Sequence, residues 1–293
     1  MEKRKFMDEP IVNVKDLSYQ YPSGKDWALH NVSFRVEEGE FFGIVGPTGA
    51  GKTTLAMCLR GLIPQNFGGK ISGSIKIAGV GTMSKTPGEL ADRVGIVFQN
   101  AETQAIGLTV REDLAFGLEN MKVTREEMQK RIDRVSKLIG LSEFLEREPW
   151  ALSGGQKQKL AIGGVLAMEP DVLILDEPTA ELDPVSKSSI FDIVRRLQDE
   201  GVTIIMIEHE VETLADVADR ILVLNEGEIA MIAPPDEAFR EVSLFKDVRE
   251  RVPFVADLMS TLVDQGAVPE NRFTSREEEA IAVLKEYLEG ENA

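Results

Sequence analysis

Residues 41–62, FFGIVGPTGAGKTTLAMCLRGL, are the stretch from which the fold of this chain can be predicted. Phe41 to Val45 is a short, continuous apolar run of the kind that forms a strand covered on both faces. A glycine-rich loop follows, and the composition from Lys52 to Leu62 is typical of a helix. Strands alternating with helices in this way predict an α/β protein with a largely parallel sheet flanked by helices.

The loop has the pattern G-x-x-x-x-G-K-[ST]. Its glycines allow successive backbone N–H groups to turn inward around phosphate oxygens, and the following helix directs its positive end to the same anion. The pattern predicts that Lys52 reaches the β- and γ-phosphates of a nucleotide and that the Thr53 hydroxyl binds Mg²⁺. An incidental glycine-rich turn is disfavoured, because the loop lies between a buried strand and a helix. The residues predicted here to bind the nucleotide are Gly46, Pro47, Thr48, Gly49, Ala50, Gly51, Lys52, Thr53 and Thr54.

An acidic pair follows a second buried strand. Residues 172–175 (VLIL) are apolar, and Asp176 and Glu177 come directly after them. Such a pair is often only a solvated strand end, but beside a phosphate loop it has a chemical use. We expect Asp176 to hold Mg²⁺ through water and Glu177 to polarise the water that attacks the γ-phosphate.

The composition excludes several classes of function. The 293 residues include 50 acidic and 33 basic side chains, a net charge of −17, which disfavours a protein that coats nucleic acid. One cysteine and two histidines cannot form a disulfide or a Cys/His zinc site within one chain, so a metal must be held by oxygen. There is neither an apolar stretch of about 18 residues nor the apolar core of a secretory signal, and we expect a location on the cytoplasmic side.

The chain is predicted to fall into two domains. Residues 1–236 form a nucleotide-binding domain, interrupted at about residues 99–168 by a helical subdomain in which Thr124 and Glu127 are predicted to form a capping box. Residues 237–293 lack strand signals and show helical spacing, which predicts a helical C-terminal extension.

Two blocks of sequence reveal a family resemblance. LSGGQKQKLAI (152–162) and LILDEPTAELD (173–183) closely resemble the signature region and the acidic strand of ATP-binding cassette (ABC) ATPases. The resemblance implies a P-loop NTPase fold with an ABC-type core: a mixed, mainly parallel sheet flanked by helices, an antiparallel β subdomain and a helical signature subdomain. It also implies a head-to-tail pair, in which the phosphate loop of one subunit faces Ser153, Gly154, Gly155 and Gln156 of the other. A serine and two glycines that open a helix fit a second anion-binding site.

Further roles are implied by the same resemblance. Tyr21 matches the aromatic residue that stacks on adenine, although Tyr19 is close enough to remain an alternative. Gln99 matches the glutamine that contacts the metal and the γ-phosphate. Asp183 matches an aspartate that crosses the dimer interface, and His209 matches a histidine that contacts the γ-phosphate. ATP and Mg²⁺ are the implied cofactors, with Thr53, Gln99 and Asp176 at the metal and Glu177 and His209 as the catalytic residues.

A subgroup resemblance comes from VGIVFQN (94–100), TVREDLAFG (109–117) and Asn120, which look like the ATPase subunits of energy-coupling-factor importers, including the cobalt and nickel type. That subgroup takes up vitamins or transition-metal ions, its ATPases dock on integral membrane subunits and substrate-binding membrane subunits, and a helical extension helps pair the ATPases. The chain departs from it at residues 100–104, NAETQ, where the subgroup usually has Asn-Pro-Asp/Glu-x-Gln.

Other classes of cassette ATPase fit less well. Proteins of DNA repair or chromosome structure need long heptad arms, whereas only 53 residues separate Gln99 from Ser153. Translation-associated proteins carry two cassettes in one chain, and this chain has one set of motifs. A non-hydrolysing regulator is expected to lose Glu177, Gln99 or His209. The sequence thus predicts a peripheral ATPase subunit, at the cytoplasmic face of the cell membrane, that powers an importer; another class of ABC transporter is the alternative.

Overall fold

The computed structural model describes residues 9–100 and 104–290, with side chains as far as Tyr287. The N-terminal part of the chain forms an antiparallel sheet. Four strands make up this sheet, in the order β2-β1-β4-β5: β1 (Val12–Gln20), β2 (Leu29–Val36), β4 (Lys70–Ile77) and β5 (Val80–Gly81). Each neighbouring pair is antiparallel, as the resemblance implied for this region.

A second sheet has the order β10-β9-β3-β8-β7-β6. It consists of β3 (Phe41–Val45), β6 (Val94–Val97), β7 (Val172–Asp176), β8 (Thr203–Ile207), β9 (Arg220–Asn225) and β10 (Glu228–Ala233). All neighbours are parallel except β9 and β10, which form a hairpin. The prediction of a mixed, mainly parallel sheet is confirmed.

The helices lie between and after these strands. The phosphate loop leads into α1 (Lys52–Leu59), which ends three residues earlier than predicted because Gly61 has a positive φ of 74°. The helical subdomain contains α2 (Val110–Asn120), α3 (Arg125–Leu138) and α4 (Gly154–Ala167), and α5 (Pro184–Asp199) and α6 (Val211–Val217) follow the strands β7 and β8. The C-terminal helices are α7 (Pro235–Arg240), α8 (Val242–Asp247), α9 (Phe254–Asp264) and α10 (Glu277–Gly290).

The N-terminus of α3 corrects one prediction. The Thr124 hydroxyl accepts a hydrogen bond from the Glu127 N–H at 3.4 Å, but the Glu127 carboxylate pairs with Arg131 at 3.0 Å instead of returning to the backbone of Thr124. An arginine one turn along the helix offers a charge-assisted partner, which competes with the neutral cap contact. Only half of the predicted capping box forms.

The parallel sheet separates two hydrophobic cores. Adjacent residues of a strand point to opposite faces, so Phe41 packs into the core on the side of the helical subdomain and Phe42 into the core beneath the antiparallel sheet. Both rings are fully buried. A strand covered on both faces must be apolar throughout, as the sequence of β3 is.

The C-terminal helices divide between two packing environments. Phe239 of α7 and Phe245 of α8 are fully buried in the core that also contains the helical subdomain. Met259 of α9 and Val283 of α10 belong to a separate small cluster. Helices α7 and α8 therefore pack as part of the larger fold. Among the described residues, no helix is both long enough and apolar enough to cross a membrane.

Candidate functional site

One group of the predicted site residues lies at one edge of the parallel sheet. Strands β3, β7 and β8 run in the same direction, and Ile207 is aligned with both Ile44 and Asp176. Strand β6 is aligned beside β7, with Val97 opposite Leu175. The segments that follow these four strands therefore emerge together, at the carboxyl edge where α/β proteins bind ligands.

The phosphate loop has a backbone conformation that requires glycine. Gly51 has a φ of 105°, and a Cβ atom on it would lie 2.6 Å from the carbonyl oxygen of Ala28. Gly46 has a φ of 149°, and its Cβ would lie 2.0 Å from the carbonyl oxygen of Leu224. The loop therefore packs closely against the start of β2 and the end of β9. It leads directly into the N-terminus of α1.

Lys52 lies inside this loop. Its side chain is buried, and its ammonium group donates hydrogen bonds to the carbonyl oxygens of Gly46 and, at 3.2 Å, of Pro47. Burial lowers the pKa of Lys52, while the nearby charges of Glu177, Glu250 and Asp176 act in the opposite direction. A cation held in a loop beside a helix N-terminus is suited to bind the phosphates of a nucleotide.

Asp176 and Thr53 meet beside Lys52. The two side chains share a hydrogen bond, and Asp176 Oδ1 is a buried oxygen with no partner among the described residues. Burial raises the pKa of Asp176 to about 6. Mg²⁺ is commonly held by one or two protein oxygens together with substrate phosphates, rather than by a full cage of side chains. A hydroxyl beside a carboxylate oxygen that lacks a partner fits such a partial coordination site.

Glu177 and His209 contact each other next to this pair. Glu177 Oε1 lies 3.0 Å from His209 Nε2, and the Glu177 N–H donates to the carbonyl oxygen of Ile207 at 2.9 Å. Glu177 has a φ of 50°, which is unusual for a residue with a side chain. The two predicted catalytic side chains are therefore brought together by the ends of β7 and β8.

The two tyrosine candidates for stacking on adenine differ in burial. Tyr19 is fully buried, and its hydroxyl donates to the carbonyl oxygen of Gly68 at 3.0 Å. Tyr21 is only partly buried, and its hydroxyl lies 3.0 Å from that of Thr54 in α1. A ring with no exposed surface cannot stack on a ligand, so Tyr21 is the tyrosine that is available to an adenine base.

Gln99 is exposed and lies two residues beyond the end of β6, at the same edge of the sheet. Beyond it, Gln104 turns back toward the chain and donates from its side-chain amide to the carbonyl oxygen of Phe98 at 3.1 Å. Residues 101–103, which include most of the departure from the subgroup pattern, lie outside the described residues.

The remaining predicted residues form a second group. Ser153 caps α4 with a complete capping box: its hydroxyl accepts from the Gln156 N–H at 3.3 Å, and the Gln156 side chain accepts from the Ser153 N–H at 3.0 Å. Ser153 and Gly154 are exposed. Gly155 lies against α5, where a Cβ atom would approach the Ser186 hydroxyl to 2.3 Å.

Asp183 belongs to this second group as the N-cap of α5. Its carboxylate accepts from the backbone N–H groups of Val185 and Ser186, both at 3.0 Å, and from the Ser186 hydroxyl at 2.6 Å. These hydrogen bonds lower the pKa of Asp183. The signature residues and Asp183 thus form one surface, at which α4 and α5 begin.

Two acidic residues at the site were not predicted from the sequence. Glu208 is buried next to His209 and accepts hydrogen bonds from Thr179, and burial raises its pKa to about 7. Its position directly after an apolar strand was the available signal, because an acid there must be either solvated or paired. Glu250, which lies between α8 and α9, faces His209 at 3.7 Å. No local pattern connects residues so far apart in the chain.

Comparisons with known proteins identify the family to which the chain belongs. The family model described as ABC transporter matches residues 29–180. An energy-coupling factor transporter ATP-binding protein, EcfA1 from Lacticaseibacillus paracasei, is 39% identical over 282 residues, which cover 96% of this chain and 94% of that protein.

Two solved structures are similar to the fold. The structure of CbiO1 from Clostridium perfringens, described as part of the ABC transporter complex CbiONQ, has 35% identity and a TM-score of 0.72, and the match covers 86% of this chain and 99% of that one. A dimeric ATP-binding cassette in a post-hydrolysis state, bound to ADP and Pi, has 29% identity and a TM-score of 0.66 over 76% of this chain and 98% of that one. With more than half of its length matched by the family model, the chain belongs to the ABC transporter family, as an ATP-hydrolysing subunit.

Proposed function

We propose that this chain is the ATPase subunit of an importer of the energy-coupling-factor type. The observation that carries the proposal is the contact between Glu177 and His209 at the sheet edge where Lys52, Thr53 and Asp176 also lie. A carboxylate next to a buried cation and a phosphate loop is suited to orient a water molecule toward a γ-phosphate. A protein that only binds nucleotide has no need of that carboxylate.

The roles within one subunit follow from these positions. Tyr21 stacks on adenine, the loop from Gly46 to Gly51 surrounds the phosphates, and Thr54 supports Tyr21 through its hydroxyl. Lys52 neutralises phosphate charge, Glu177 accepts a proton from the attacking water, and His209 and Gln99 contact the γ-phosphate. Thr53, Asp176 and Gln99 would hold Mg²⁺, which would supply positive charge to the phosphate site.

The active form is proposed to be a head-to-tail dimer with an identical or related ATPase subunit. Ser153 and Gly154 are exposed at the start of α4, more than 100 residues along the chain from the phosphate loop. A helix start of this kind binds anions, so each subunit can offer it to the nucleotide of its partner. Asp183, which lies on the same surface, faces the interface. The similar cassette bound to ADP and Pi is dimeric, which supports the pairing of two subunits.

Coupling to transport is proposed to run through residues 99–120. Exposed apolar side chains in this segment include Ile106, Leu108 and Phe116. They offer a docking surface for an integral membrane transport subunit, which would act with a substrate-binding membrane subunit in the uptake of a vitamin or a transition-metal ion. The named relatives, EcfA1 and CbiO1 of a CbiONQ complex, support this class, with the chain peripheral at the cytoplasmic face of the membrane. Another class of ABC transporter is the second candidate.

The catalytic assignment is tested with Glu177→Gln. We expect this variant to bind ATP like the wild type, to lose turnover and to accumulate as a closed dimer in ATP, because the amide cannot accept the proton. Matched measurements are the Kd for ATP, phosphate release and size-exclusion chromatography. Normal ATP turnover in Glu177→Gln would show that Glu177 does not accept the proton from the attacking water.

The transport class is tested by purification from native membranes in mild detergent, followed by mass spectrometry of the bound chains. We expect a second ATPase subunit together with membrane subunits of the energy-coupling-factor type. Recovery with membrane subunits of a different architecture would support the second candidate and contradict the first.

A further inference from the structure

The carboxylate of Glu250, which follows α8, lies at the edge of the parallel sheet where the proposed catalytic residues Glu177 and His209 meet. Glu250 Oε1 is 3.7 Å from His209 Nδ1, and the Glu250 side chain is only 10% exposed. Its charge also acts on the buried ammonium group of Lys52, together with those of Glu177 and Asp176. Glu250 is therefore a nearby charge for His209 and Lys52, to which roles in ATP hydrolysis have been assigned, although it lies 41 residues after the first and 198 after the second.

The backbone holds Glu250 in this place. Helix α8 ends in a turn in which Arg249 has a φ of 58° and its N–H donates to the carbonyl oxygen of Lys246 at 3.1 Å. The Glu250 N–H donates to the carbonyl oxygen of Phe245 at 2.8 Å. This pair of hydrogen bonds is the Schellman arrangement, which fixes the direction of the chain after a helix. Because Phe245 and Val248 are buried in the main core, the turn cannot shift without disturbing the packing.

His209 is thereby placed between two carboxylates. Its Nε2 faces Glu177 at 3.0 Å and its Nδ1 faces Glu250 at 3.7 Å. The second distance is that of an electrostatic contact rather than of a hydrogen bond. A carboxylate that faces one nitrogen of an imidazole ring attracts that edge of the ring, and so favours one orientation of it.

We propose that Glu250 is a positioning residue for His209, which keeps the Nδ1 edge of the ring toward the C-terminal helices and the Nε2 edge toward Glu177 and the γ-phosphate. The proposal rests on the proposed role of His209 in ATP hydrolysis. It gives helices α7 and α8 a part in catalysis, since their packing into the core decides where Glu250 lies.

The test compares Glu250→Ala with Asp247→Ala in the full chain. Asp247 is an exposed acid at the end of α8, three residues before Glu250, so its removal changes the charge of this segment without touching His209. We expect Glu250→Ala to lower kcat for ATP hydrolysis by about tenfold and to leave KM within about twofold, because a misplaced ring affects the reacting state more than binding. Asp247→Ala should match the wild type.

Glu250→Gln is the conservative variant, in which an amide oxygen still faces Nδ1 but the charge is lost. We expect a kcat about threefold below that of the wild type, between the values for the wild type and Glu250→Ala. An unchanged kcat in Glu250→Ala, or an equal loss in Asp247→Ala, would overturn the proposal. A rise in kcat would also overturn it, since Glu250 would then obstruct the site. If Glu250→Ala does not fold, the nearly isosteric Glu250→Gln decides, and a wild-type kcat in that variant overturns the proposal.

A second readout follows the ring directly. The chain has two histidines, so nitrogen NMR of histidine-labelled protein reports on His209 with His30 as an internal reference. We expect Glu250→Ala to shift the Nδ1 signal of His209 at constant pH and to leave that of His30, which pairs with Glu228 on the surface, in place. An unmoved His209 signal would contradict positioning by Glu250.

His209→Ala distinguishes a failure of the proposed role of His209 from a failure of the positioning role of Glu250. If kcat is normal in His209→Ala, the proposed role of His209 fails, and that of Glu250 fails with it. If kcat falls in His209→Ala and in Glu177→Gln but not in Glu250→Ala, the proposed function stands and only the positioning role fails.

Discussion

The Glu208 carboxylate accepts hydrogen bonds from both the backbone N–H and the hydroxyl of Thr179, at 3.3 and 2.8 Å. Both residues are almost completely buried. The contact joins the end of β8 to the loop that runs from Glu177 to Asp183. It therefore connects the strand that precedes His209 to the segment that has the proposed catalytic base, Glu177, at one end and Asp183, at the proposed dimer interface, at the other.

Thr179→Val should destabilise the protein by about 1 to 3 kcal/mol, because it removes a hydroxyl that satisfies a buried carboxyl group. Urea unfolding followed by circular dichroism measures the difference. Thr261→Val, which removes an exposed hydroxyl from α9, is the control and should change little. A Thr179→Val variant as stable as the wild type would show that the contact does not stabilise the loop.

Glu208→Gln should alter the pH dependence of stability. Burial raises the pKa of Glu208 from 4.5 to about 7 in the folded protein, so between these values the unfolded chain releases this proton more readily than the folded one. The wild type should therefore lose stability as the pH rises from 5 to 7, by about 2 kcal/mol from this group. Glutamine does not titrate, and this component should be absent in the variant. Parallel pH profiles of the two proteins would contradict the assignment.

Tyr21→Ala should weaken ATP binding by about tenfold, the effect of losing one base–aromatic stack. Binding of inorganic tripolyphosphate, which has no base, should be unchanged. Calorimetric titration with both ligands makes the comparison, and Tyr21→Phe, which keeps the ring, should bind ATP nearly normally. An equal loss for both ligands would indicate a distorted loop rather than a lost stack.

Gly46→Ala should be far more harmful than Gly49→Ala. The new Cβ would meet the Leu224 carbonyl oxygen at 2.0 Å at the first site, whereas at the second no other described atom lies within 4 Å and only the positive φ of 86° resists it. We expect losses of about 2 to 4 kcal/mol and about 1 kcal/mol of unfolding free energy. Thermal unfolding measures both, and similar values would mean that the contact with Leu224 is not rigid.

Phe254→Ser combined with Leu258→Ser should weaken pairing of the subunits. The two residues lie one turn apart on α9, 73% and 37% exposed, and offer an apolar face for the proposed dimer. Truncation of the extension is a poorer test, since Phe245 and Val248 belong to the main core. Sedimentation in ATP, in the Glu177→Gln background, measures pairing. Phe67→Ser, at an aromatic residue that is 45% exposed, is the control, and unchanged pairing in the double variant would contradict a role for this face.

Local patterns predicted the cassette well. The apolar runs of β3, β7 and β8 are strands, and the loop from Gly46 to Gly51 has the conformation for which its glycines are needed. Each of these features depends on neighbours within a few residues in the chain. The prediction of a complete capping box at Thr124 was wrong, also for a local reason, because Arg131 competes for the Glu127 carboxylate.

The sequence by itself determined the parallel sheet, the phosphate loop and the identity of the residues that follow each strand, because periodicity and steric limits on glycine act over short stretches of chain. The tertiary structure alone decided that Tyr19 is buried and Tyr21 accessible, that Glu208 takes its hydrogen bonds from Thr179, and that Glu250 faces His209. These relations join residues whose distance depends on how whole elements pack. Because charge and burial act through space, the electrostatics of the candidate site depend on the folded structure.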